Sequence, residues 1–294
     1  LKIRGGSELN VKAGTIITGQ NSYLGIETVG KTTVVNIYEG AEIYQNGTSS
    51  YCGCLAGASG NSTINVYGGK GQSKSGGFIA MTSGGTINVE GGEWIANTDG
   101  TYANSNKSVL VAQSDKGAKS IVNVTGGTFK GGYNCYGNKV GDAQINIKGG
   151  NFNADPKSYV AEDYIAVENN GVWNVELAAA KIGTTAYATV DAAIKAAQAG
   201  ETVTIFEGTY KVPAMKAGIT VVGEGEVLLE GTLSGTLENL TLKNLHIKGG
   251  NAQRWAYGKG NLVFEDVIFE ATSVYALHFD GITAGTNLTY KNCT

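Results

Sequence analysis

The sequence predicts an all-β chain, a right-handed parallel β-helix (solenoid) with one short capping α-helix near residues 189–199. Three observations carry that expectation. Glycine is far above ordinary use, 45 of 294 residues, without the three-residue period of collagen, so tight corners between short strands are implied. An apolar-Asn-apolar unit recurs as Leu9-Asn10-Val11, Val35-Asn36-Ile37, Ile64-Asn65-Val66, Ile87-Asn88-Val89, Val122-Asn123-Val124 and Ile145-Asn146-Ile147. A glycine corner, often with an aromatic, follows it at Gly68-Gly69, Gly91-Gly92-Glu93-Trp94, Gly126-Gly127-Thr128-Phe129 and Gly149-Gly150-Asn151-Phe152.

Each unit reads as a short strand whose apolar residues point inward and whose Asn points out, because side chains alternate with period two. Successive Asn positions are 26, 29, 23, 35 and 23 residues apart, so insertions of uneven length are expected on one common face. From Asp155-Pro156 to Val175 the pattern breaks. There Ala161 to Trp173 reads as a strand, a turn at Asn170-Gly171 and a second strand, closing a first module over 1–176. A second module over 177–294 opens with the helix. Thr189 is its N-cap, apolar residues follow at i, i+3, i+4 and i+7, and Gly200 stands at the C′ position.

Beyond the helix, Asn239-Leu240-Thr241-Leu242-Lys243-Asn244, Asn261-Leu262-Val263-Phe264-Glu265-Asp266 and Asn287-Leu288-Thr289-Tyr290-Lys291-Asn292 align without gaps, 22 and then 26 residues apart. Asn244, Asp266 and Asn292 should then stack at one corner, where short polar side chains bond the turn backbone of the neighbouring strand. Cys293 falls in line with Leu245 and Val267 and reads as core.

The order of helix, strand Thr202–Phe206 and Glu207-Gly208-Thr209-Tyr210 resembles the N-terminal entry of pectin-lyase-like β-helices, in which a helix covers the open end of the stack. That resemblance spans about Lys181 to Thr294. It implies kinship with a superfamily that includes pectate lyases, pectin esterases and polysaccharide hydrolases. The segment Asp155-Pro156-Lys157-Ser158-Tyr159-Val160-Ala161-Glu162-Asp163-Tyr164 resembles the D-P-x-x-Y-V-A-E-x-Y endings of repeats in large surface and phage-associated proteins of gut bacteria. It implies a setting outside the cell.

Several functions are disfavoured. A net charge of −3 without a Lys/Arg cluster argues against nucleic acid as a partner. No run of 18 apolar residues exists, so no membrane insertion is expected. Cys52-Gly53-Cys54 resembles half a metal site, but His246 and His278 are the two histidines of the chain and a tetrahedral set is hard to complete. No metal and no cofactor is expected, and Cys52, Cys54, Cys135 and Cys293 read as small apolar thiols. The chain starts and stops within strand-like sequence, which suggests part of something longer.

For catalysis the residues are sparse. Gly208-Thr209-Tyr210-Lys211-Val212 has Val where the pectin esterase G-x-Y-x-E start has Glu. Glu162-Asp163 and Glu265-Asp266 are adjacent acids, and strand neighbours point to opposite faces, so adjacency does not pair them. His278-Phe279-Asp280 puts an imidazole and a carboxylate on one face, the best local seed for acid-base work. G-x-S-x-G, H-E-x-x-H and P-loop motifs are absent, and no catalytic residue is assigned.

Recognition remains. The excursions Gly249 to Gly260 and Ala271 to Thr286 should lie one above the other and carry Arg254, Trp255, Tyr257, Tyr275, His278 and Asp280. Aromatic rings with polar neighbours suit sugars. Tyr133, Asn134 and Tyr136 form a weaker set of the same kind. The expectation is therefore a non-catalytic, elongated scaffold on a virion or a bacterial cell surface, a fibre or spike component or an adhesin, that binds host or matrix glycans. Its partners would be a cell-surface or matrix polysaccharide and further copies of itself, as a homotrimer or a larger surface assembly. The alternatives are a polysaccharide lyase or esterase whose catalytic strands lie outside this sequence, and a spacer without ligand.

Overall fold

The computed structural model of the chain describes residues 1–19, 24–47, 54–74, 76–96, 108–114, 117–137, 141–249, 258–271 and 283–294. The chain is all-β apart from one α-helix and a 3-10 turn among those residues, and it divides into two units, Leu1–Glu176 and Leu177–Thr294.

In the first unit the chain deals its strands to three sheets in rotation. One sheet holds Lys2–Arg4, Leu24–Val29, Cys54–Ser59, Phe78–Ala80, Ser108–Ser114 and Gly132–Gly137. The second holds Glu8–Val11, Val34–Ile37, Ser62–Val66, Gly85–Val89, Ser120–Val124 and Ala143–Ile147. The third holds Ile16–Gly19, Glu42–Gln45, Lys70–Ser73, Glu93–Ile95, Thr128–Lys130 and Gly150–Phe152. One strand from each sheet makes a round, and every strand lies parallel to its counterpart in the next round. The second sheet is in perfect register: Asn10, Asn36, Asn65, Asn88, Asn123 and Asn146 face one another in order.

That register follows from the alternation in the sequence. Val35, Ile37, Ile64, Val66, Ile87, Val89, Val122 and Val124 are buried in one core, while the intervening Asn side chains stand on the outer face. Slipping one residue would exchange the two sets. The amides reinforce it as a directional ladder: Asn36 Nδ2 donates to Asn10 Oδ1 at 3.1 Å, Asn65 to Asn36 at 2.9 Å, Asn88 to Asn65 at 2.9 Å, Asn123 to Asn88 at 2.9 Å and Asn146 to Asn123 at 3.0 Å. Glu8 Oε1 closes its first end by accepting from Asn10 and Asn36.

The aromatics after the glycine corners turn inward and stack. Trp94, Phe129 and Phe152 are register partners in the third sheet, and the last two rings lie 5.0 Å apart at 11°. Gly71 faces Trp94, and a Cβ there would come within 2.9 Å of the indole, so the missing side chain makes room for the ring. The uneven spacing of the Asn units arises mainly where the third sheet returns to the first, between Gly19 and Leu24, Gln45 and Cys54, Ser73 and Phe78, and Ile95 and Ser108. Where the first sheet turns into the second, buried hydroxyls take the turn carbonyls. Thr28 and Ser62 share a 2.5 Å hydrogen bond, Ser62 donates to Ser59 O at 2.7 Å and Ser120 to Met81 O at 2.6 Å.

The parallel stacking stops at a hairpin. Tyr164–Asn169 and Val172–Leu177 are neighbours joined by Asn170 and Gly171 at φ 52° and 80°, the two left-handed residues of a type I′ turn. The second of these strands runs antiparallel to Gly150–Phe152, with Trp173 opposite Phe152, and Lys157 Nζ lies 4.3 Å from the centre of the indole ring.

In the second unit Thr202–Lys211, Thr220–Glu230, Glu238–Gly249, Lys259–Ala271 and Asn287–Lys291 form one parallel run, each beside its successor. Ala180–Ile182 pairs antiparallel with the first of them. The helix, Val190–Ala196, lays Val190, Ala193 and Ile194 on this core, and Thr189 Oγ1 accepts from Ala192 N at 3.1 Å. The helix ends three residues before the expected Ala199. Ala197 is already extended with ψ 141°, Lys216 Nζ takes the carbonyls of Lys195 and Ala197, and Gly200, at φ 89°, donates to Gly218 O at 2.7 Å. Gly200 therefore serves the turn to the next round rather than the helix terminus.

The Asx corner is present. Asn244, Asp266 and Asn292 have φ of 50°, 54° and 54°, and register resumes beyond it with Leu245 opposite Val267. Asn244 Nδ2 donates to Gly223 O at 2.7 Å, whereas Asn292 Nδ2 donates to the Asp266 carboxylate at 3.0 Å. This corner corrects the expectation for Glu265 and Asp266. A left-handed residue interrupts the alternation, so both stand on the outer side between buried Phe264 and Val267. The three described thiols are buried or packed against a core, as expected. Cys54 is buried, and Cys135 and Cys293 are half-buried and donate to Ala143 O and Phe264 O, while Cys52 lies outside the described residues.

Candidate ligand-binding grooves

Arg254, Trp255, Tyr257, Tyr275, His278 and Asp280 all lie outside the described residues. The strands that carry them do not. Gly249 and Ala271, where the two excursions leave, are register partners, and at the return Thr283 N and Thr286 Oγ1 both bond Gly258 O at 3.1 Å. Both excursions thus depart and rejoin at neighbouring points of the sheet.

Three residues before those departures, His246 and Ile268 are also register partners, and they help to line a groove of about 650 Å³. Glu207, Glu226, Asn244 and Asp266 supply polar atoms to it, and Val227 and Leu228 apolar ones. Ile268 is 47% exposed, a large apolar side chain in the same outer row as Leu228 and His246. His246 Nε2 lies 3.0 Å from Glu270 Oε2, and Lys248 Nζ lies 2.9 Å from Glu270 Oε1. The hydrogen bond from Lys248, and after it the imidazole, holds the Glu270 carboxyl below its ordinary value. Such a surface can accept hydrogen bonds from hydroxyls through its carboxylates and pack C–H groups on Ile268.

A second groove, of about 570 Å³, lies in the first unit along the corner between its second and third sheets. It is lined by Glu39, Glu42, Lys70, Glu93, Thr128 and Asn151 over a floor of glycine backbone. In the sequence these glycines read as turns only. The signal for a groove is that two consecutive positions without Cβ recur in successive rounds and so stack into a recess.

The outward Asn row and the Tyr133 side chain resolve as structural. The Asn row spends one donor and one acceptor of each central amide on the ladder. Tyr133 is half-buried against Phe152 and Tyr159, its hydroxyl donates to Ala154 O at 2.9 Å, and burial pushes its ionisation well above the ordinary range. The side chains of Asn134 and Tyr136 lie outside the described residues. Among the described residues no three His, Cys, Asp or Glu side chains group so as to hold a metal ion, and no helix is long and apolar enough to cross a membrane. No family model, curated protein or solved structure matches this chain.

Proposed function

We propose that both units are right-handed parallel β-helices of the pectin-lyase-like kind, that the chain is an extracellular scaffold of a virion or bacterial cell surface, and that it self-associates and binds glycans. The β-helix reading is supported in the first unit by the rotation of strands through three parallel sheets, and in the second by one parallel run of five strands beside a second parallel pair, Ala214–Met215 with Ser234–Gly235, with the hand taken from the rule for parallel crossovers. Self-association is supported by exposed Ile16 and Tyr290 on strands at sheet edges, which invite pairing. The observation that carries glycan binding is the shared departure and return of the two excursions bearing Arg254, Trp255, Tyr257, Tyr275, His278 and Asp280, beside a groove with carboxylates and an exposed Ile268. Rings and a carboxylate groove together fit a sugar chain, whose C–H faces and hydroxyls need both.

A glycan-array screen of the chain beside a Trp255→Ala, Tyr275→Ala double variant tests this. Loss by the double variant of at least one glycan that the parent chain binds is the expected result. Absence of binding by the parent chain would leave the ligand-free spacer in its place.

A further inference from the structure

The groove of the first unit holds hydrogen-bond donors that the chain leaves unused. Its corner is built alike in successive rounds. Gly69, Gly92 and Gly127 have φ of 99°, 94° and 105°. The carbonyl of each accepts from the next round: Glu93 N donates to Gly69 O at 2.9 Å, Thr128 N to Gly92 O at 2.8 Å and Asn151 N to Gly127 O at 2.8 Å. Equivalent backbone in equivalent bonding aims the three glycine N–H groups the same way. The first shows where that is. Gly69 N donates to Glu39 Oε2 at 3.2 Å, and Glu39 lines the groove. Among the described residues, the N–H groups of Gly92 and Gly127 donate to no protein acceptor.

The Glu39 carboxylate is thus an oxygen ligand, supplied by the chain, on the first donor of a row whose next two members are open. Glu93, Thr128 and Asn151 stand beside those two, and the Lys70 ammonium is already held by Glu42 at 2.9 Å. Three carboxylates against one neutralised ammonium make the groove repel an anionic polymer, and the two open N–H groups call for an oxygen acceptor, which an ammonium does not supply. A hydroxyl fits, since it accepts from the N–H and donates to a carboxylate. The donors repeat from round to round at about the 4.8 Å spacing of strands, so a ligand must extend across rounds to meet both.

We propose that this groove is a second glycan site that takes an extended neutral polysaccharide across successive rounds, with hydroxyl oxygens on Gly92 N and Gly127 N and a hydroxyl proton on the Glu93 carboxylate. The inference rests on the glycan reading above and adds the place and the class of polymer. The floor tolerates no side chain, since a Cβ on Gly92 would lie 2.6 Å from Gly69 O, so the test uses rim residues that are exposed and outside the core.

Mixed-linkage β-glucan, xyloglucan and mannan, with polygalacturonate as the acidic comparison, are titrated calorimetrically into the full chain in the Trp255→Ala, Tyr275→Ala background. A neutral member should still bind. Glu93→Ala should weaken it about tenfold, and Glu39→Ala, which frees a third N–H, should strengthen it about fivefold, both with the thermal transition unchanged. Affinity that ignores both rim variants, or binding confined to polygalacturonate, overturns the inference. If the parent chain binds glycan and the double variant binds none, the first site stands and this one falls. If the parent chain binds none, both fall.

Discussion

The amide ladder of the first unit has a direction, and reversing one link should make its stability respond to acid in the opposite sense to a wild-type carboxylate. Asn88 donates from Nδ2 to Asn65 Oδ1 and accepts from Asn123 Nδ2, each at 2.9 Å, with all three side chains half-buried. Asn88→Asp keeps the shape and the acceptor but, when ionised, replaces the donor with an oxygen aimed at another oxygen. The lost bond costs about 1 kcal/mol and the unpaired Asn65 oxygen adds to it, while the bond from Asn123 to a charged acceptor offsets part. A net loss of about 1.5 kcal/mol at pH 7 corresponds to roughly 3–6 °C in the transition of a unit of this size. Protonation restores a donor, so the folded state raises the pKa of the new carboxyl above its unfolded value of about 3.9. The deficit is full above the raised value and shrinks as pH falls through it toward 3.9. Circular dichroism melts of parent and variant from pH 7 to pH 3.5 measure it. A variant as stable as the parent at pH 7, or a deficit that grows in acid, refutes a ladder built on directed amide bonds.

Further outcomes follow from other parts of the molecule. Phe129→Ala removes a ring that is 1% exposed and stacked on Phe152, and should lower the stability of the first unit by about 3–5 kcal/mol. Scanning calorimetry should show the second unit's transition unmoved, and equal shifts in both would contradict two separate cores. Glu265 accepts from Lys291 and then from Lys243, which holds its carboxyl at about 2 against an ordinary 4.5. A carboxyl lowered in the folded state stabilises above its unfolded value and loses that contribution as pH falls. The second unit should therefore weaken between pH 4.5 and about 2, less so at high salt, and Glu265→Gln should flatten that window. An unchanged acid profile in Glu265→Gln would show that the ion pairs are screened to insignificance. Thr189→Ala removes the cap on Ala192 N and should cost about 1 kcal/mol, measured as a lower denaturant midpoint for the second unit.

Patterns local to one strand were legible in the sequence, and patterns made between rounds were not. Ile87-Asn88-Val89 announces its faces because alternation is a property of three consecutive residues. Asn244, Asp266 and Asn292 could be aligned because they hold one position in three similar segments. The helix end escaped, since Gly200 fits a helix terminus as well as the turn that bonds Gly218, and a residue 18 positions away decides between them. Alternation alone puts Glu265 and Asp266 on opposite faces, because the positive φ of Asp266 is invisible to a period-two count. The buried hydroxyls of Thr28, Ser62 and Ser120 carry no signal in the sequence, because the partners that bury them, Ser62 for Thr28 and the carbonyls of Ser59 and Met81 for the two serines, are brought beside them by folding. Both grooves are of the same kind. Glu39, Lys70 and Glu93, or Glu207, Asn244 and Ile268, meet only when rounds stack, and no short motif joins them.

The claim that the chain holds glycans without processing them is tested most directly by the fate of the polymer. A polysaccharide retained by the chain is incubated with it to equilibrium, and its mass distribution and reducing ends are compared with those of polymer kept alone. An unchanged distribution is the expected result for a recognition scaffold. Shortened chains, new reducing ends or unsaturated termini would contradict it and make the protein a polysaccharide-cleaving enzyme.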